Sequence, residues 1–531
     1  MACMEAAETA KKDSWIQEIW PIQRSQLKKV LPLLALKFLV SVIYAILTCM
    51  KDTLIVTASN SGAEVIPILK GWLVFPLSLL CAIAYAKLSN HFKRSTLFYS
   101  IITLFLIIIF LYGFVLYPHA NSIAPRRSAN WLMTHFGTKY THWIAVYEHW
   151  FHSLFFIIAE LWGQVVIFIL YWGFANHIFQ VKEAKNSYTL FIAAGDLGTI
   201  ISAPLVLYYL SKFSGRAFTY TLHTLLCYIL IAGIAILIIY WWMNKYVLVN
   251  KRYYDPSIMK YSVEQKTNLS LRKSIKHVLS SKYLLCIAFA VIGCALSVNI
   301  IEVPWKAHLK MLYPLAADYQ AFVAKTTFMV GITALITVFF LGGGFLRRFG
   351  WHFSAQIAPI FIGLTGVVFF LLICFREYLT PITSIFGITP LVLIVLFGAF
   401  QNVISKVVKW SFFDVTKEMA YIPLDQESKV KGKATIDVVG SRFGKSSSSW
   451  IQIFIMTLLG THSIFTTVPY LIPIVIIVIL CWSYSARYIG NELDKKEKSL
   501  LAIQGVSGQM MPGQVSDEVV DKSTTAKPRP V

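Results

Sequence analysis

Twelve long apolar runs are the feature that most constrains how this 531-residue chain folds. Most of them approach or exceed the roughly 20 residues that span a bilayer as a helix. The runs cover residues 31–50, 65–86, 97–117, 143–174, 188–210, 218–243, 283–301, 326–346, 353–375, 388–413, 438–460 and 466–484. Charged residues make up 14% of the chain, against about 25% in an average soluble domain. The sequence therefore predicts an all-α integral membrane protein with about twelve transmembrane helices.

The longest internal polar stretch lies between the sixth and seventh runs and divides the twelve into two groups of six. Two groups of six spans joined by a basic loop are typical of transporters built from two related halves. The sequence thus predicts an N-terminal segment at 1–30, a first half at 31–243, a basic loop at 244–282, a second half at 283–486 and a largely disordered tail at 487–531.

The net charge of +22, from 48 Lys+Arg against 26 Asp+Glu, would indicate nucleic-acid binding in a soluble protein. Here the basic residues concentrate in the loops after even-numbered runs, the bias of cytoplasmic loops. This bias predicts a multi-pass membrane protein with both termini cytoplasmic and no nucleic-acid partner. The remaining positive charge suits an anionic substrate.

No motif in the sequence indicates catalysis, a metal or a cofactor. The eight Cys residues are scattered, without metal-ligand spacing. Gly444-Lys445-Ser446 is not a phosphate-binding P-loop, because Val439 stands where the motif requires glycine and no strand precedes it. We therefore expect no enzyme activity, no metal site and no cofactor.

Four charged residues inside or at the ends of apolar runs are the first candidates for function: Lys51, Glu160, Glu302 and Lys445. Charges at membrane depth are costly and usually face a bundle interior or a wet cavity. Further candidates, with less to single them out, are Asp52, Glu64, Lys70, Lys306 and Asp437. Two alternatives remain open: a short solvated loop holds Lys51 to Lys70, or the charges are structural helix-packing pairs.

Several long motifs resemble those of one transporter family. They lie at residues 51–58, 61–64, 160–163, 172–176, 412–414, 416–424, 431–434 and 436–437. From Trp20 to Glu492 the chain is similar to the nucleotide transporter family, the ATP/ADP translocases of plastids and of chlamydia- and rickettsia-type intracellular bacteria. Short basic turns at 86–94 and 344–350 also resemble a turn of major-facilitator transporters. The resemblance implies twelve helices in a major-facilitator-like arrangement, an inner-membrane location and nucleotide exchange by alternating access.

The family's functional charges fall on Lys51, Glu160, Glu302 and Lys445 of this sequence. Residues 58–64 and 444–448 depart from the family's usual pattern. Its members differ in substrate and coupling, so three alternatives stay open: ATP/ADP exchange, proton-coupled import of nucleotides, and NAD/ADP exchange. The expected partners are ATP, ADP, other nucleoside triphosphates or NAD, the lipid bilayer and, for a symporter, protons.

A mechanism follows from these charges as a hypothesis. Lys51 and Lys445, one from each half, would contact the phosphates, while Glu160 and Glu302 would govern gating or coupling. An aromatic residue such as Trp72, Trp162 or Trp305 would stack on the base. Occluding unpaired lysines is costly, so a polyphosphate that supplies the missing negative charge would let only the loaded carrier close.

Overall fold

The computed structural model describes residues 26–179, 181–250, 253, 271–340, 342–424, 432, 433 and 435–509, which form helices joined by turns and loops, with no strand among them. The twelve long helices are α1 (Leu27–Val56), α2 (Val65–His91), α3 (Arg94–Leu116), α4 (Trp150–Ile178), α5 (Val181–Lys212), α6 (Phe218–Val247), α7 (Lys282–Leu312), α8 (Ala316–Phe340), α9 (Gly342–Cys374, interrupted at Gly350), α10 (Pro390–Ala420), α11 (Ser441–Leu458) and α12 (Val468–Gln509). Eleven of them are long and apolar enough to cross a membrane. Shorter helices include Ala120–Ile123, Arg126–Phe136, Thr141–Glu148, Leu271–Ser280 and Thr380–Ile385.

Helix α11 is the long helix outside that group of eleven, because basic residues and four consecutive serines lower its hydropathy. Its buried positions are mostly small or polar: Gly444, Ser446, Ser448, Ser449, Gln452, Ile455 and Met456. It packs against α7 of its own half and against α2 of the other half. A polar helix face packed against apolar helices fits the interior of a membrane bundle.

The two halves, α1–α6 and α7–α12, meet along two long seams. Helix α5 packs against α8, where Gly331 lies beside Ile200. Helix α2 packs against α11, where Gly71 lies beside Trp450. Each long helix runs from one end of the bundle to the other. We call the end that carries both termini the proximal end and the opposite end the distal end. Helix α1 runs from proximal to distal, so the loop after Val56 is distal.

The structure corrects three sequence-based boundaries. Helix α1 continues to Val56, so Lys51 and Asp52 lie inside a helix and not in a solvated loop. The long fourth run is two helices, Thr141–Glu148 and α4, separated at His149. Helix α12 continues to Gln509, although a disordered tail was expected from 487. Helix-forming Glu, Lys, Leu and Ala residues and a Glu492–Lys495 pair one turn apart favour this extension.

The predictions about the N-terminal segment, the central loop and the C-terminal tail concern residues that the structure largely does not describe. The N-terminal segment 1–25, most of the central loop at 254–270 and the tail at 510–531 lie outside the described residues.

Gly444 lets α11 approach the backbone of α7 closely. A Cβ atom at this position would lie 2.7 Å from the carbonyl oxygen of Ile292 and 2.9 Å from the Ala295 side chain. Alanine normally favours a helix by about 1 kcal/mol over glycine, but this contact involves backbone and cannot yield easily. We expect Gly444→Ala to lower the melting temperature of the purified protein by several degrees.

Gly440 supplies the matched control for that change. A Cβ atom there would have its nearest neighbours at 3.9 Å, an ordinary contact. Gly440→Ala is therefore expected to leave the melting temperature unchanged or to raise it. Equal melting temperatures for the two variants would show that the close approach of α11 to α7 is not needed.

Candidate functional site

A chain of buried ion pairs lies in the distal part of the bundle interior. Its members, called the central ion network, are Lys51, Asp52, Lys70, Glu160, Glu302 and Lys306. In the first half, Lys51 Nζ lies 2.8 Å from Asp52 Oδ1 and 3.1 Å from Glu160 Oε1. The Lys51 ammonium also lies 4.2 Å from the centroid of the Phe156 ring. Lys51 is thus enclosed by two carboxylates and an aromatic face.

Two links of the network join the halves to each other. Lys306 of α7 donates to Asp52 Oδ2 of α1 at 2.8 Å. Lys70 of α2 donates to Asn299 Oδ1 at 2.9 Å and to Glu302 Oε2 at 3.3 Å, both on α7. Within α7, Lys306 lies 3.0 Å from Glu302 Oε1. These contacts hold the two halves together across the interior.

The network neutralises its own charge. Its three lysines face three carboxylates, and each carboxylate lies within 3.3 Å of at least one lysine. Buried ions are expensive unless each has a partner, and removing one partner typically costs about 3–5 kcal/mol. The interior can therefore stay closed without a ligand only while these pairs remain intact.

Three further cations border the network without a partner of their own: Lys406, Arg442 and Lys445. Each is partly exposed, and their side-chain nitrogens make no ion pair or hydrogen bond with any residue in the described parts of the chain. Arg442 and Lys445 lie within electrostatic range of Glu160, and Lys406 lies within range of Glu302. The interior thus holds more positive charge than its own carboxylates balance.

The two charge groups occupy different depths. Lys51 and Lys306 lie near the distal ends of α1 and α7, and Lys70 lies in the first turns of α2, which begins at the distal end. Arg442 and Lys445 lie near the start of α11, which begins at the proximal end. The neutralised group is therefore distal, and Arg442 and Lys445 lie closer to the proximal end.

Short π-helical segments interrupt the helices that carry these charges. They cover Leu69–Val74 in α2, Trp162–Tyr171 in α4, Lys409–Phe413 in α10 and Thr435–Gly440 just before α11. Lys70 lies in one of them, and Glu160, Lys406 and Arg442 lie within three residues of the others. Such segments often occur at functional sites because they shift the direction of nearby side chains.

Loops of the two halves are joined at the distal end. Lys310 of α7 donates to the carbonyl oxygen of Ser61. The backbone amide of Ile464 donates to Glu64 Oε1 at 3.4 Å. Together with the network below them, these contacts close the distal end of the interior. Glu64 is thus a residue of this closure and not of the ion network.

The other sequence-based candidates fall in different places. Asp437 accepts from Lys417 at 2.9 Å at the proximal end of the second half, away from the network. Trp72 is 55% exposed, while Trp162 and Trp305 are buried and donate to backbone oxygens of Val40 and Val395. These three tryptophans therefore pack at the surface or within their own half.

Sequence reasoning missed the aromatic residues that do lie at the network. Phe156 lies one helical turn before Glu160, a spacing that places both on one face of α4. Tyr319 of α8 is fully buried, lies within electrostatic range of Asp52 and Glu302, and its hydroxyl has no partner in the described residues. Only the i, i+4 spacing from Glu160 could have identified Phe156 in advance.

The fold is similar to that of solved major-facilitator-type transporters. A bacterial homologue of the iron transporter ferroportin in an inward-facing state matches with a TM-score of 0.53 at 12% identity, covering 88% of this chain and 98% of that one. A mutant of the nucleoside transporter NupG matches with a TM-score of 0.52 at 13% identity, covering 86% of this chain and 99% of that one. These matches confirm the predicted fold class.

Sequence comparison identifies the family. The model of the TLC ATP/ADP transporter family matches residues 5–493. ADP,ATP carrier protein 1 of Chlamydia muridarum is 40% identical over 479 residues, 89% of this chain and 90% of that protein. Chloroplastic ADP,ATP carrier protein 1 of Arabidopsis thaliana is 36% identical over 509 residues, which cover 94% of this chain and 80% of that protein. ADP,ATP carrier protein 1 of Rickettsia bellii is 34% identical over 490 residues, which cover 91% of this chain and 98% of that protein. The chain belongs to the TLC ATP/ADP transporter family.

Proposed function

We propose that this protein exchanges ATP for ADP across a membrane by alternating access of its two halves. The observation that carries the proposal is the unbalanced charge of the interior. Six cations, of which Lys406, Arg442 and Lys445 have no partner in the described residues, face three carboxylates. A nucleoside polyphosphate supplies the missing negative charge, and the relatives named as ADP,ATP carriers agree with it.

The charges have distinct roles in this proposal. Lys51 and Lys445 contact phosphate oxygens as compact cations with rotatable donors. Glu160 and Glu302 hold Lys51, Lys70 and Lys306 while no nucleotide is bound, and they release them to the phosphates when one binds. The protein binds and moves the nucleotide without covalent chemistry, so it is a carrier and not an enzyme.

A competition panel tests the substrate. Purified protein in liposomes takes up labelled ADP in the presence of excess ATP, GTP, CTP, UTP, NAD or AMP. The proposal predicts that ATP competes at least as well as unlabelled ADP. Strong inhibition by NAD and none by ATP would assign an NAD/ADP exchanger instead, and equal inhibition by all triphosphates would assign a broader nucleotide carrier.

We place the proximal end, with both termini, in the cytoplasm of a cell whose inner membrane holds the protein. Basic residues concentrated in the loops of that end support this orientation. Lys87 at the proximal end and Lys139 at the distal end are both exposed and provide a matched pair. In a cysteine-free background, a membrane-impermeant thiol reagent applied to intact cells is expected to label Lys139→Cys and to spare Lys87→Cys. The opposite pattern would reverse the orientation.

A further inference from the structure

The three unpaired cations differ from the central ion network in ways that indicate a site for a ligand. Network lysines are almost completely buried: Lys51 and Lys306 are each 2% exposed. Lys406, Arg442 and Lys445 are partly exposed, and their side-chain nitrogens have no ion-pair or hydrogen-bond partner in the described residues. A cation inside a membrane protein normally has a partner, so three neighbouring exceptions require a different explanation.

All three cations lie within electrostatic range of the central ion network. Lys445 lies within electrostatic range of Arg442, Glu160 and Lys70. Lys406 lies within range of Glu302, Lys306 and the same Lys70. Lys70 is therefore within electrostatic range of both Lys445 of α11 and Lys406 of α10. The carboxylates of the region do not neutralise the three, because Asp52, Glu160 and Glu302 already contact lysines of the network.

We propose that Lys406 and Arg442, together with Lys445, form a polyphosphate subsite that receives the nucleotide from the proximal side. This inference rests on the proposed exchange of nucleotides and adds two residues to its phosphate contacts. The ligand class is a nucleoside di- or triphosphate bound through its terminal phosphates. Arg442 presents a planar fork that can hold a phosphate with two hydrogen bonds, while Lys406 and Lys445 act as point charges.

The depth of the subsite gives it a place in the transport cycle. The distal end is closed above the network by the Lys310–Ser61 and Ile464–Glu64 contacts. Arg442 and Lys445 lie on the proximal side of that closure, near the start of α11. A polyphosphate that approaches from the proximal side meets these cations before the buried lysines. It then competes with Glu160 and Glu302 for Lys51 and Lys70, which loosens the distal closure.

Neutral substitutions of the two new residues test the subsite. In proteoliposomes, Arg442→Gln and Lys406→Gln should each raise the KM for ADP presented to the proximal side at least tenfold, with a smaller change in the maximal rate per folded molecule. The conservative Arg442→Lys should restore most of the affinity, with a remaining rise of about threefold from the lost fork. A purely structural role would lower the amount of folded protein and leave the KM unchanged.

Lys409 supplies the control. It lies three residues after Lys406 on the same helix but pairs with Asp414 at 3.0 Å, and both side chains of that pair are about one third exposed. Lys409→Gln removes the same charge and should change the KM less than twofold. A KM within twofold of the wild type for both Arg442→Gln and Lys406→Gln would overturn the subsite. If those variants do not fold, an unchanged KM in Arg442→Lys would do so.

The same assay separates this inference from the proposed function. If the wild-type protein does not exchange ADP and ATP, the proposed function fails. If the wild type exchanges them and the two variants keep its KM, the function stands and the subsite fails.

Discussion

Lys51→Ala is expected to lower ADP/ATP exchange at least about 25-fold per folded molecule, since truncating one member of a buried charge pair typically costs 2–5 kcal/mol of binding. Lys51 lies 2.8 Å from Asp52 and 3.1 Å from Glu160, and its side chain is 3% exposed. Without its ammonium group, a bound phosphate would meet Glu160 with no intervening cation. The measurement is counter-exchange in proteoliposomes, normalised to the folded protein recovered by size-exclusion chromatography.

The same helix contains the control for this change. Lys28 lies on α1 as well but is exposed at the proximal end, so Lys28→Ala removes the same charge without touching the network. It should exchange nucleotides at the wild-type rate. If Lys51→Ala inserts and folds normally and exchanges at the wild-type rate, Lys51 does not contact the phosphates. If it loses folded protein but not the rate per molecule, its pair with Glu160 is structural.

Asp52→Asn is expected to shift the equilibrium between the closed and open distal end about tenfold toward the open state. The carboxylate of Asp52 links α1 to Lys306 of α7 at 2.8 Å. Loss of this carboxylate leaves no lysine without an ion-pair partner, because Lys51 still pairs with Glu160 and Lys306 still pairs with Glu302. The variant should therefore fold, while the closed state loses a buried link worth roughly 1.5 kcal/mol or more, close to the 1.4 kcal/mol of a tenfold shift.

A cysteine at the distal closure reports this opening. Ser61 is 8% exposed and its carbonyl oxygen accepts from Lys310 of the other half. In a cysteine-free background, an impermeant thiol reagent should label Ser61→Cys about ten times faster when Asp52→Asn is present. Asp414→Asn, which breaks a partly exposed pair within α10, should not change the rate. Equal labelling rates with and without Asp52→Asn would show that the Asp52–Lys306 pair does not hold the distal end closed.

The sequence predicts the helices well because apolar runs of membrane length have few alternative structures. It also predicts the residues of the network, since a charge inside such a run has to face the bundle interior. The i, i+4 spacing of Glu302 and Lys306 on α7 even predicts their contact, which the structure shows at 3.0 Å.

Contacts between the halves could not be predicted in the same way. The Asp52–Lys306 and Lys70–Glu302 pairs join residues more than 200 positions apart, and nothing in their local sequence specifies which lysine meets which carboxylate. From the sequence, Trp162 and Trp305 are candidates for stacking on the base of a nucleotide. The structure uses them to pack each half, with Trp305 lying against Gly398.

The sequence also does not show that Arg442 and Lys406 lack an ion-pair partner. From the sequence alone, a basic residue inside an apolar run has the same appearance whether it is paired or free. Lys409 is paired with Asp414 and Lys406 has no partner among the described residues, although the two lie three residues apart on one helix. Only the positions of the surrounding carboxylates distinguish them.

The central claim is that the carrier switches between its two open states only when a polyphosphate replaces the carboxylates as the partner of its lysines. Release of labelled ATP from preloaded proteoliposomes tests this most directly. The account predicts release at least ten times faster when ADP is present outside than when the outside buffer lacks nucleotide, a difference of about 1.4 kcal/mol or more in barrier height. Equal release without external ADP, or release driven by a proton gradient alone, would contradict it.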